Sequence, residues 1–97
     1  MLTHDEPLWP EGSIRLDDGG HLEVVGADGS VRRHRVADLA SLEFGRPRHG
    51  RVPLKFRFKR AVGTRGLTVL VDQATLPAIQ GLAAAALADR DDALTAR

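Results

Sequence analysis

The sequence predicts an α+β domain: a bent antiparallel sheet, or partly open barrel, of about six to seven short strands closed by one C-terminal helix. Three observations lead there. Apolar residues alternate with polar ones through most of residues 13–71, the period of a half-buried strand. Asp-Gly and Gly-rich breaks fall between these runs at hairpin spacing. After residue 72 the period changes to that of a helix. The connections are too short for parallel crossovers, so strands followed by one helix predict an antiparallel sheet with the helix packed on it.

Residues 1–12 (MLTHDEPLWPEG) hold two prolines and few apolar residues, and read as an irregular tail that Trp9 pins to the core. The domain proper is expected over 13–90, with a polar tail at 91–97. Ile14 and Leu16 alternate with Ser13 and Arg15 in a first strand, which Asp17-Asp18-Gly19-Gly20 turns back into His21–Val25. A second turn at Ala27–Ser30 leads to an arginine-rich strand over 30–36. Ala37-Asp38 interrupts the chain before a strand at Leu39–Phe44, with Leu42 and Phe44 facing inward.

Gly45–Gly50 (GRPRHG) is a loop by composition. Arg51–Arg60 follows as the clearest strand: Val52, Leu54, Phe56 and Phe58 fall on one parity, and Arg51, Pro53, Lys55, Arg57 and Lys59 on the other. Strand side chains alternate sides, so one face is apolar and its reverse cationic. Pro53 places the start of this strand at an edge or a bulge. Gly63–Gly66 reads as a turn, and Leu67–Val71, apolar on both parities, as a strand covered on both faces. Leu76, Ile79, Leu82, Ala83, Ala86 and Leu87 then form a helical stripe that Leu94 would extend. Asp72 or Thr75 can cap the start, and Pro77 falls in the first turn, where proline is tolerated.

This arrangement resembles the bacterial PH-like domains, which include actinobacterial domains of unknown function. The resemblance rests on Val36–Glu43 (VADLASLE), on Gly50–Phe58 (GRVPLKFRF), and on the passage from strand to helix over Leu67–Leu87. It implies a seventh strand, in residues 1–12 or within Leu39–Phe44. It also implies a non-enzymatic binding module for a protein partner or a lipid headgroup. Eukaryotic relatives that bind phosphoinositides place basic residues around the first hairpin; here that hairpin is acidic, with only Arg15 nearby, so the lipid site does not carry over.

Charge sharpens the functional expectation. The formal net charge is +1, but residues 1–43 carry nine acids and four arginines, residues 44–71 carry eight bases and no acid, and residues 72–97 carry four acids and two bases. The basic block therefore marks Lys55, Arg57 and Lys59, with Arg46, Arg48 and Arg51 on the preceding loop and strand start, as a contact surface for an acidic protein partner. Arg60, Arg65 and His49 would enlarge it, and a sheet edge would add backbone hydrogen bonds. Anionic lipid headgroups are the alternative ligand. A homo-oligomer using the opposed charge blocks is another. Within the chain, Glu23, Asp28, Asp38 and Glu43 would lie near the basic strand and pair with it, setting strand order or making such a self-complementary surface. The same cationic face would also keep the strand solvated. Nucleic acid is disfavoured, because Phe56 and Phe58 lie on the opposite parity from the cations.

With no cysteine, disulfides and thiolate chemistry are excluded. The four scattered histidines show no metal-ligand spacing, and no cofactor motif, nucleophile elbow or phosphate-cradling loop is present. The expectation is a protein without metal, cofactor or catalytic residues. With no signal-peptide pattern in the first ten residues and no membrane-length apolar run, the expected compartment is the cytoplasm.

Overall fold

The computed structural model describes residues 1–59 and 62–95. It is α+β: two antiparallel sheets and one C-terminal helix. The first sheet orders β1 (Leu2–Pro7), β2 (Ser13–Asp17), β3 (His21–Val25) and β4 (Val31–Arg35) as a meander. The second orders β5 (Leu39–Phe44), β6 (Arg51–Lys59) and β7 (Thr64–Asp72) in the same way. Between the sheets the chain makes one 3-10 turn, Val36–Asp38. Helix α1 runs from Leu76 to Thr95. Among the described residues no helix is long and apolar enough to cross a membrane.

The inward parities meet in one core. Ile14 and Leu16 of β2, Leu22 and Val24 of β3, and Val52, Leu54, Phe56 and Phe58 of β6 are buried together with Ile79, Leu82 and Ala86 of the helix. Each large side chain so buried contributes roughly 1.5–3 kcal/mol. His34 of β4 stacks on Phe58 with ring centroids 4.0 Å apart, joining an edge of the first sheet to the centre of the second. Helix α1 packs on the Val36–Asp38 turn, and its Ala83 and Ala86 are buried. Arg90 reaches back from the helix to the Leu39 carbonyl at 3.5 Å.

Several expectations need correction. Residues 1–12 are not an irregular tail: Leu2–Pro7 is a strand paired with β2 through a bulge between Leu2 and His4. Four of its six side chains are exposed and His4 and Glu6 are half-buried, with none in the core, so backbone pairing, not apolar alternation, makes it a strand. The polar segment after residue 90 stays helical through Thr95, with Leu94 exposed and off the buried stripe. Ala96 and Arg97 lie outside the described residues, as does Arg60.

β7 is an edge strand, not a doubly covered one, and Leu70 is 38% exposed. It begins at Thr64, so most of the expected Gly63–Gly66 turn is strand. Phe44 shares the face of its cross-strand neighbour Leu54, but it ends an edge strand and remains 37% exposed. Asp72 caps a short 3-10 turn, Gln73–Thr75, that precedes α1: its Oδ1 accepts the Ala74 amide at 3.3 Å.

Pro53 sits in the central strand, against expectation. The Leu70 carbonyl accepts the Trp9 amide and therefore points away from β6. Pro53, opposite Leu70, is thus in a non-hydrogen-bonded pair with β7. Its own polar side turns toward β5, whose ladder has ended at Phe44, and its carbonyl accepts the Gly45 amide at 2.8 Å. The missing N–H costs no ladder bond to β7.

Candidate functional site

The cationic parity of β6 lies on the outer face of the three-stranded sheet. Lys55, Arg57 and Lys59 are exposed while Val52, Leu54, Phe56 and Phe58 between them are buried. Their spacing along the strand is about 6.6–6.8 Å. Register fixes their neighbours: Glu43 and Thr68 flank Lys55, Ser41 and Gly66 flank Arg57, and Thr64 lies beside Lys59.

Arg46, Arg48 and Arg51 gather at the other end of that face. Arg48 and Arg51 exchange both backbone hydrogen bonds, at 2.8 and 2.9 Å, around a tight turn. His49 (φ 52°) and Gly50 (φ 76°) supply the two positive φ values that a type I′ hairpin turn requires. The turn sets two arginines directly opposite one another, an arrangement that destabilises a strand pair unless something else answers the charge. Part of the answer is Trp9: the Arg51 guanidinium lies 3.9 Å from its ring centroid.

Trp9, Pro53 and Leu70 form the apolar floor of a cleft of about 310 Å³, rimmed by Arg46, Arg48, His49 and Arg51. Pro53 and Leu70 belong to the same sheet face as Lys55, Arg57 and Lys59, so cleft and strip are continuous. Arg46, Arg48, Arg51, Lys55, Arg57 and Lys59, with His49, are therefore brought onto one surface; Arg65, opposite Phe58, belongs to the other face and does not enlarge it. Trp9 is the member whose place there the sequence did not reveal. It lies 37 residues before Arg46, and the backbone bond from its amide to the Leu70 carbonyl, 2.9 Å, together with the Arg51 contact, holds it there.

The acids do not neutralise this surface. Asp5 pairs with Arg15 at 3.4 Å, Asp17 with Arg33 at 3.4 Å, Asp38 with Arg35 at 3.3 Å and Asp91 with Arg90 at 3.0 Å. Glu23 lies opposite Arg15 and Arg33 in register, and Asp28 accepts the Ser30 amide at 3.0 Å. The expected meeting of Glu23, Asp28 and Asp38 with the basic strand does not occur, because the arginines of the first sheet are nearer. Glu43 and Asp72 stand beside Lys55 and Arg51 in register. Even so, among the described residues none of Arg46, Arg48, Arg51, Lys55, Arg57 and Lys59 forms an ion pair.

No protein-family model, curated protein or solved structure matches the chain. The chemistry of the surface must therefore speak from its own residues. Among those described, no group of three or more histidines and acids could hold a metal.

The two perturbed carboxyls lie away from the cationic face and serve turns. Burial works against the Asp17 carboxylate, but the amides of His21 and Gly19 and the charges of His21 and Arg33 outweigh it and hold its pKa below the usual value. The hydroxyl and amide of Ser30 do the same for Asp28.

Proposed function

We propose that this chain is a non-enzymatic binding module of PH-like type that docks on an acidic protein partner through the outer face of its three-stranded sheet. Four- and three-stranded antiparallel sheets closed by a C-terminal helix support the PH-like reading. One observation carries the docking reading: six cations on one continuous surface, two of them held face to face across a turn, with no ion pair among the described residues to relieve them. Their charge is left for a partner, and carboxylates on that partner would supply steering and register more than raw affinity. Trp9, Pro53 and Leu70 give an apolar anchor point at one end of the strip.

The test is titration of a fluorescein-labelled glutamate-rich peptide by anisotropy, at low and at physiological salt. Binding should weaken with salt, as for partly exposed charges. The double variant Arg57→Glu, Lys59→Glu should abolish it while leaving the thermal midpoint within a few degrees. Equal binding by the variant would refute the docking face. Vesicles containing anionic lipid, offered in parallel, should compete poorly with the peptide; stronger binding to them would move the reading to a membrane surface.

A further inference from the structure

Among the described residues there are four edge strands, and three of them are more heavily guarded than the fourth. β1 carries a bulge and then Asp5, Glu6 and Pro7. β4 carries Arg32, Arg33 and Arg35. β5 is bulged between Leu39 and Ser41. These are the devices by which natural sheets prevent the addition of another strand. β7 has neither bulge nor proline. It pairs with β6 over nine successive residues without a register shift, and among the described residues its one charge before Asp72 is Arg65, near its start and on the face of Phe58, away from Thr68 and Leu70.

The polar groups of that edge are available. The Leu70 carbonyl points outward to Trp9, so by alternation the amides and carbonyls of Gly66 and Thr68 also point away from β6. Among the described residues they have no backbone partner. Space lies beside Thr68: a cleft of about 510 Å³ has Leu67–Leu70 as one wall and Val24–Ala27 as the other, with Trp9 and Pro10 at its end. Trp9 already makes a one-residue antiparallel bridge there, as though beginning an added strand.

The side chains of β7 on the outer face complete the case. They are Thr64, Gly66 and Thr68, opposite Lys59, Arg57 and Lys55. A strand added to β7 would lie about 10 Å from β6, two strand spacings away. Long cationic side chains can cross that distance only over small ones, and Gly66 leaves nothing in front of Arg57. A second copy of this chain is a poor occupant, because pairing two β7 edges antiparallel would bring two cationic strips onto one continuous face.

We infer that the edge of β7 accepts an extended acidic segment of another protein as an eighth strand, whose alternate carboxylates meet Lys55, Arg57 and Lys59 across Thr68, Gly66 and Thr64. This rests on the acidic-partner reading above and adds to it the conformation of the bound segment.

The experiment uses three peptides of equal length and charge. One alternates Glu with Val; one has the same sequence N-methylated at alternate residues on the hydrogen-bonding side; one has its Glu and Val in separate blocks. The alternating peptide should bind best, and N-methylation or block order should weaken it about tenfold, the worth of a few lost backbone bonds and misplaced charges. Thr68→Pro, which removes only an outward-facing N–H, should do the same to the protein, and the N-methylated peptide tests the edge without altering the fold. Equal binding of all three peptides, still abolished by Arg57→Glu with Lys59→Glu, would overturn the strand addition and leave the docking face standing. No binding by any peptide would overturn both. A dimer in light scattering that Thr68→Pro makes monomeric would overturn the proposal by giving the edge to a second copy.

Discussion

The guanidinium of Arg51 lies 3.9 Å from the ring centroid of Trp9, linking the first strand of the basic block to a residue far upstream. The contact has two effects. It fixes the β1–β2 connection against the second sheet, and it holds one of two facing arginines in a defined position. Trp9→Ala and Arg51→Ala should each lower stability, with a coupling of about 0.5–1 kcal/mol in a double-mutant cycle by urea denaturation. A coupling near zero would mean that the ring only packs.

The connection also depends on Gly12. Its φ is +102°, and a Cβ there would clash with the Val25 carbonyl oxygen. Gly12→Ala should therefore destabilise by more than about 2 kcal/mol, combining strain with a backbone clash. Gly81 gives the contrast. It is exposed within α1 and an added methyl meets nothing, so Gly81→Ala should stabilise by about 1 kcal/mol. Thermal melts of the two variants should move in opposite directions.

The two parities of β6 should separate cleanly. Phe56→Ala removes a ring that is 1% exposed and should cost about 3–5 kcal/mol. Lys55→Ala, on the reverse face, should change stability by less than about 0.5 kcal/mol. A large loss in the second variant would assign the cation to the fold.

Asp17 makes a pH prediction. Its folded-state pKa is depressed, so its carboxylate favours the native state above the ordinary carboxyl pKa, and that contribution fades as pH falls through the folded value. Asp17→Asn should thus destabilise by about 1 kcal/mol at pH 7, given that Asp17 accepts the Gly19 and His21 amides at 2.9 Å. The gap to the parent protein should close at acid pH, below the usual aspartate range.

How far the sequence revealed the fold follows from which interactions define each element. β2, β3, β6 and the helix bury one face, so alternation or a stripe announces them. β1 and the first residues of β7 are held by backbone pairing with exposed side chains, and pairing leaves no mark on composition. The apolar run Leu67–Val71 suggested cover on both faces, whereas Leu70 is spent on the cleft floor. Pro53 misled because the rule against proline in central strands assumes that both neighbours extend alongside it. The cationic face was legible because it lies on one strand and the loop before it. Its apolar end was not, since it joins Trp9, Pro53 and Leu70 from three separate parts of the chain.

The alternation along β7 also divides that strand in time. Amides that point to β6, such as those of Leu67 and Val69, sit in a paired ladder beside buried rings and should exchange their hydrogens only when the sheet opens. The amides of Gly66 and Thr68 belong to the same regular strand yet face water, and should exchange orders of magnitude sooner. Within a few residues the backbone keeps a slow clock and a fast one, and whatever settles on that edge will stop the fast one.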